Sequence, residues 1–217
     1  MSRFTDSSPH QQPRAESGFS LVEMVVVVGV VFVVAATALM NILPSIRSSR
    51  ANAGMEMALG EMRRAHERAV DERRIYRVTF VAPQTIQVEV GQVAIIGSTI
   101  TDSAPVFVAA QAPLTLPGNI QFLAVPGIPT SPNATPDGFG TGAVAINLDI
   151  ANGGGTQIYF QPDGRALDGA NRLNDGVIYL AEPNNLFSSR AVSLYGTTGR
   201  SKSWFLTQVN GALKWTQ

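Results

Sequence analysis

Glu23 stands at the mouth of a long apolar run, and between it and Arg47 the chain carries no charge. A carboxylate at the edge of such a run is costly in lipid unless it is paired. Phe19 lies four residues earlier, so on a helix the two share one face. Other residues capable of chemistry are sparse. There is no cysteine, which excludes disulfides and thiolate metal sites. The two histidines, His10 and His66, belong to no His/Cys/carboxylate cluster with metal-ligand spacing. Asp168, Asn171, Asn174 and Asp175 gather oxygen donors in one loop, but their spacing is not that of an EF-hand. Gly138-Phe139-Gly140-Thr141-Gly142 lacks the following helix and the glycine spacing of a dinucleotide loop, and reads as a flexible turn. Nothing singles out a Ser-His-Asp arrangement. The chain is therefore read as a non-enzyme, with no catalytic residues, no metal and no cofactor.

The C-terminal stretch has a different character. No acidic residue follows Glu182, while Arg190, Arg200, Lys202 and Lys214 are basic, with Trp204 and Trp215 beside them. Such cations can contact phosphates, and an indole can stack on an exposed base. The same residues equally fit an ordinary final hairpin, with tryptophans in the core and cations in water.

The elements that would hold these residues follow from hydropathy pattern. The chain has 217 residues, 16 basic and 16 acidic, so its net charge is zero and argues neither for nor against a nucleic-acid partner. Hydrophobic residues make up 45%, enough for one core without disulfide support. Residues 1–18 are polar, contain Pro9 and Pro13, and show no periodicity. Met24–Leu43 is a continuous apolar run; as a helix it spans about 30 Å, one hydrocarbon core. It is longer than a secretory signal and lacks a convincing small-residue cleavage site after it. Pro44 is expected to kink or loosen the helix. Helical spacing then resumes: Met55, Ala58, Leu59, Met62, Ala65, His66 and Ala69 form one stripe, with Arg63–Glu67 and Arg68–Glu72 pairs opposite.

After Arg74 the pattern is β. Ile75–Val81 and Thr85–Val90 alternate across Pro83-Gln84 as a hairpin. Further strands are expected at Val93–Ile96, Val106–Ala109, Ile120–Val125, Ala143–Leu148, Gln157–Gln161, Val177–Leu180, Ala191–Leu194 and Ser203–Gln208. Asn210-Gly211 marks a tight hairpin into Ala212–Trp215. The Pro- and Gly-rich segment 126–142 reads as a long exposed loop. The expected fold class is α+β: a long N-terminal helix whose second half packs on an antiparallel β-sheet domain.

Ser17-Gly18-Phe19-Ser20-Leu21-Val22-Glu23, followed by the apolar helix, closely resembles the prepilin processing motif. The resemblance implies cleavage between Gly18 and Phe19 by a prepilin peptidase and N-methylation of Phe19. It gives Glu23 an assembly role, neutralising the N-terminal amine of a neighbouring subunit in a staggered helix bundle. Three weaker matches are similar to the GspH/FimT branch: Met62–Ala69 at the helix end, Ile158–Arg165 entering a turn, and Gly199–Trp204. The middle of the chain, roughly 85–150, matches nothing comparable. The implied organisation is a leader (1–18), a transmembrane and polymer-core helix (19–46), an amphipathic helix (47–74) and a β-rich domain (75–217). The implied function is a minor pilin or pseudopilin of a type IV pilus or type II secretion pseudopilus. It would be anchored by a single pass in the inner membrane, with its domain in the periplasm and other pilins or pseudopilins as partners through the N-terminal helix. The alternative is a FimT-like DNA-binding minor pilin using Arg200, Lys202 and Trp204. Lys202 stands where that motif has a second Arg, which keeps the charge but loses the bidentate fork.

Overall fold

A computed structural model describes residues 20–92, 95–96, 99–100, 105–152 and 154–217, with side chains at all of these except 39–44, 95–96 and 99–100. The chain divides into two units, Met1–Leu43 and Pro44–Gln217. Helix α1 (Leu21–Glu72) supplies the described part of the first unit and opens the second. The helix runs unbroken through Pro44, the position where a kink or loosening was expected. Proline lacks the N–H that would bond the preceding turn and its ring crowds that carbonyl. The division between units falls at Pro44.

In the second unit the expected stripe is the buried face of α1. Ala51, Met55, Ala58, Leu59, Met62, Ala65 and Ala69 are all buried, and His66 is half-buried. Gly54 has a packing reason: a Cβ there would meet Ile120 Cγ2 at 3.0 Å. Arg68–Glu72 pairs on the solvent side, as expected, and Arg64 pairs with buried Glu61; Arg63 and Glu67 form no ion pair among the described residues. The helix ends at Arg73, whose φ of 53° lets Arg74 N donate back to Ala69 O at 3.2 Å. That six-residue closure satisfies a carbonyl the last turn would leave open.

The strands are β1 (Tyr76–Val81), β2 (Thr85–Gln92), β3 (Ile95–Ile96), β4 (Thr99–Ile100), β5 (Val106–Ala109), β6 (Leu114–Thr115), β7 (Gln121–Phe122), β8 (Ile146–Asn147), β9 (Gln157–Phe160), β10 (Ala166–Leu167), β11 (Gly176–Ala181), β12 (Arg190–Tyr195), β13 (Arg200–Val209) and β14 (Ala212–Thr216). They build two principal antiparallel sheets. One runs β10-β9-β1-β2-β5 with β6 also on β2; the other runs β14-β13-β12-β11-β7 with β8 also on β11. A separate pair joins β3 and β4. The Ile120–Val125 and Ala143–Leu148 strands shrink to two residues each, and β4, β6 and β10 were not legible. A two-residue strand has no alternation to read.

The main core joins α1 to both principal sheets. Tyr76, Val78 and Phe80 of β1, Ile86 and Val88 of β2, and Ile158 and Phe160 of β9 meet Met55 and Met62; Ile178, Leu180, Val192 and Leu194 enter from the second sheet. The opposite face of β11 and β12 is buried too. Val177, Tyr179 and Ala191 form a second cluster with Leu206, Trp215 and Ile128. Ile128 belongs to the segment expected to be exposed. Thr135 and Pro136 are also buried, and a Cβ on Gly140 would strike Val177 Cγ1 at 2.5 Å. The 126–142 loop is thus in large part a cover over the second sheet. The apolar outer residues of β11 and β12 need one, because two-sided burial leaves them no polar face. The last hairpin is as expected: Asn210 and Gly211 have φ of 52° and 81°, the left-handed pair that matches strand twist.

Candidate functional site

Gly18 and Phe19 lie outside the described residues. The described helix begins beside them, with Met24 N donating to Ser20 O at 3.1 Å. Glu23 is exposed in the first turn of α1, where free N–H groups favour a negative charge. From Leu21 to Ala38 every residue is exposed, the mean hydropathy is 2.6, and Glu23 is the only charge. Leu21, Val25, Phe32 and Val33 all present most of their surface. Contiguous apolar surface of this extent marks a membrane or protein contact. A helix apolar on all sides needs lipid or other helices around it.

The weaker sequence matches converge elsewhere. His66 of α1 has Nε2 3.0 Å from Gly164 O, and its ring packs edge-on to Phe160 at 5.6 Å. Gly199 closes the same spot: a Cβ there would lie 2.5 Å from both Gly164 O and His66 Cδ2. Gly164 (φ 86°) and Gly199 (φ 63°) both sit in the left-handed region. The three segments therefore form one structural joint between helix and sheets. Beside it, Arg63, Glu67, Thr198 and Arg200 line an open cavity of about 290 Å³.

Arg200, Lys202 and Trp204 alternate along β13 and so share one face. Arg200 is exposed. Lys202 Nζ is 2.8 Å from Asp137 Oδ1 and lies over the Tyr195 ring at 5.0 Å. Asp137 comes from the covering loop, and its side chain is only 8% exposed. Ser193 donates to the other oxygen of Asp137, and Trp204 Nε1 donates to Ser193 Oγ at 3.0 Å. Burial pushes the Asp137 carboxyl up, but bonds from Lys202, Ser193 and Tyr195 outweigh it and hold the carboxyl below its usual range. The same contact to Asp137 raises the Lys202 ammonium. Arg190 is 5% exposed and hydrogen-bonds Asn52, Ser48 and two backbone carbonyls, so it is not a surface cation. Burial lowers its pKa. Of the four C-terminal cations, Arg200 and Lys214 are exposed. Trp215 is buried in the second cluster.

The loop donors are likewise engaged internally. Asp168 accepts the N–H groups of Ala170 and Arg172 at 2.8 Å each and pairs with the Arg172 guanidinium. Asn174 receives Asp149 N and donates to Gln157 O, and Asp175 accepts Gly196 N. Asp137 and the Arg172 bridge between Asp149 and Asp168 had no sequence signal. Lys202 lies 65 positions from Asp137 and Arg172 lies 23 from Asp149, beyond any spacing rule, while Asp168 and Arg172 are four apart in a loop without helical or strand pattern.

Residues 13–39 match the family described as the prokaryotic N-terminal methylation motif. Two crystal forms of the type IV minor pilin FimU from Pseudomonas aeruginosa strain PAO1 are among the similar solved structures. One has 10% identity and a TM-score of 0.38, covering 70% of this chain and 90% of that one. The other has 12% identity and a TM-score of 0.38, covering 73% and 88%. No curated protein matches. The matched segment takes in the exposed, almost charge-free start of α1.

Proposed function

We propose that the protein is a minor pilin or pseudopilin of the GspH/FimT kind, made as a prepilin and assembled into a type IV pilus or type II secretion pseudopilus. A prepilin peptidase cuts between Gly18 and Phe19, and the new amine of Phe19 is methylated. Met24–Leu43 then holds the protein in the inner membrane with the domain on the periplasmic side. On assembly the helix exchanges lipid for the helices of other pilins. The observation that carries this reading is the exposed helix Leu21–Ala38, apolar on every face with Glu23 as its one charge. Lipid and a bundle of like helices both satisfy such a surface, and a carboxylate at its head can pair with a neighbour's amine. Mass spectrometry of the membrane-fraction protein tests it. A chain beginning at N-methyl-Phe19 is expected; an intact Met1 start overturns it. Glu23→Ala should leave processing intact and remove the protein from sheared filaments.

The second reading is a pilus-displayed DNA-binding subunit. Arg200 and Arg63 favour it, because both line one open cavity beside the Gly199 turn. Lys202 and Trp204 favour it less, being bonded to Asp137 and Ser193. A salt series of gel shifts with the detergent-solubilised chain separates the readings. Binding that weakens with salt and is lost in Arg200→Ala supports DNA; no shift at low salt removes it.

A further inference from the structure

We infer that the loop carrying Phe187 is a second membrane contact, seated in the anionic headgroup layer of the bilayer that α1 crosses; this rests on the membrane-anchored reading above. Phe187 is 58% exposed, the largest such value for a big apolar side chain among the described residues of Pro44–Gln217. It sits in a single short turn, Leu186–Ser188. An aromatic ring left in water there needs a reason, and segments lying in the membrane interface bury Trp, Phe and Leu side chains into the acyl boundary.

Buried Arg190 ties this turn to α1. Its Nη1 donates to Phe187 O at 3.1 Å and Ser189 O at 2.9 Å, while Nη2 reaches Ser48 Oγ at 3.2 Å and Nε reaches Asn52 Oδ1 at 2.7 Å. No carboxylate shares that guanidinium among the described residues. Its bonds go to the loop and to the first turns of α1 after the apolar run. Ser48 is the fifth residue beyond Leu43, so at most about 17 Å of chain separates it from the run's end, and about 7.5 Å if helical. Headgroups occupy roughly 5–7 Å on each side of the hydrocarbon core. The loop is therefore tied to the stretch of chain that leaves the lipid.

The surroundings have headgroup chemistry. Arg47, Ser48, Asn185, Phe187 and Ser188 line an open cavity of about 340 Å³. Arg47 lies 3.8 Å from Glu182, a loose pairing that leaves more than half its side chain exposed. Arg50 is exposed and has no ion-pair partner among the described residues, and Ile46 adds apolar surface. A phosphate would meet Arg47 with hydroxyl and amide donors beside it, while Phe187 enters the acyl boundary.

The test uses the absence of cysteine from the chain. Phe187→Cys and, as a reference elsewhere on the domain, Val144→Cys each carry one environment-sensitive fluorophore. The full chain is reconstituted into phosphatidylcholine vesicles with and without phosphatidylglycerol, some acyl chains being brominated. Quenching severalfold stronger at 187 than at 144 is expected, increased by phosphatidylglycerol and reduced by Arg47→Ala plus Arg50→Ala. Equal quenching at the two sites, in protein that resists carbonate extraction, overturns the contact and leaves the anchor standing. Protein removed by carbonate overturns both.

Discussion

Asp137 shows how much one residue from a loop can decide. Its carboxylate collects Lys202 and Ser193, and Trp204 bonds to Ser193 in turn, so the loop is held on the second sheet by an ion pair whose carboxylate is buried and whose lysine is partly exposed. Asp137→Asn leaves Lys202 without its counter-charge and should cost about 1–2 kcal/mol, measured by thermal or urea unfolding of the detergent-solubilised chain. The pH dependence has a definite sign. The folded carboxyl titrates below its unfolded value, so its contribution is present above about pH 4 and is lost as pH falls through the lowered folded value. The wild-type melting temperature should fall more steeply below pH 4 than that of Asp137→Asn; parallel acid slopes would contradict the latch. Lys202, raised in the folded state, contributes below the ordinary lysine range and loses this as pH rises through its folded value, so both partners act at neutral pH. Gly199 is the other decisive residue. Alanine there would combine a φ of 63° with a contact of 2.5 Å to Gly164 O and His66, and about 2 kcal/mol or more of destabilisation is expected in the same assay.

Helix α1 is one element with two solvents. In its second half a stripe of small and sulfur-bearing side chains is wholly buried, and Met62→Ala should cost about 2–5 kcal/mol through the cavity it leaves. In its first half Phe32 touches solvent over most of its surface. Phe32→Ala should leave the melting of the domain unchanged while weakening recovery of the protein in sheared filaments. A fall in domain stability with Phe32→Ala would mean that the first half folds against the domain. The stripe was legible because its partners repeat every three or four residues within the helix. Its ion pairs were only half legible: Arg68–Glu72 forms as expected, whereas Arg64 takes Glu61, which Gln111 also holds from fifty positions away.

At the scale of the whole molecule, the expected antiparallel β domain is built from two principal sheets and a covering loop. The β11 strand GVIYLA is buried at every position, so it shows no alternation and cannot reveal that it separates two clusters. The loop 126–142 reads as solvent-exposed because proline and glycine dominate it, yet its Ile128 and Phe139 pack into the cluster of Tyr179 and Trp215. Gly140→Leu would drive a side chain into Val177 and should lift this cover. Limited proteolysis within 126–142 should then accelerate well before the rest of the domain is cut.

The sequence by itself determined the parts that rest on short-range order. These are the motif at Ser17–Glu23, the apolar run with Glu23 at its head, the helical stripe, the β1–β2 hairpin and the Asn210-Gly211 turn. Each is written in neighbours a few positions apart, where helix and strand geometry convert spacing directly into a face. Tertiary structure alone decided what the remaining polar residues do. Lys202 meets Asp137 across 65 positions, His66 meets Gly164 across 98, and Arg190 meets Ser48 across 142. Those pairings depend on how the sheets and loops close on one another, and no local periodicity encodes that closure.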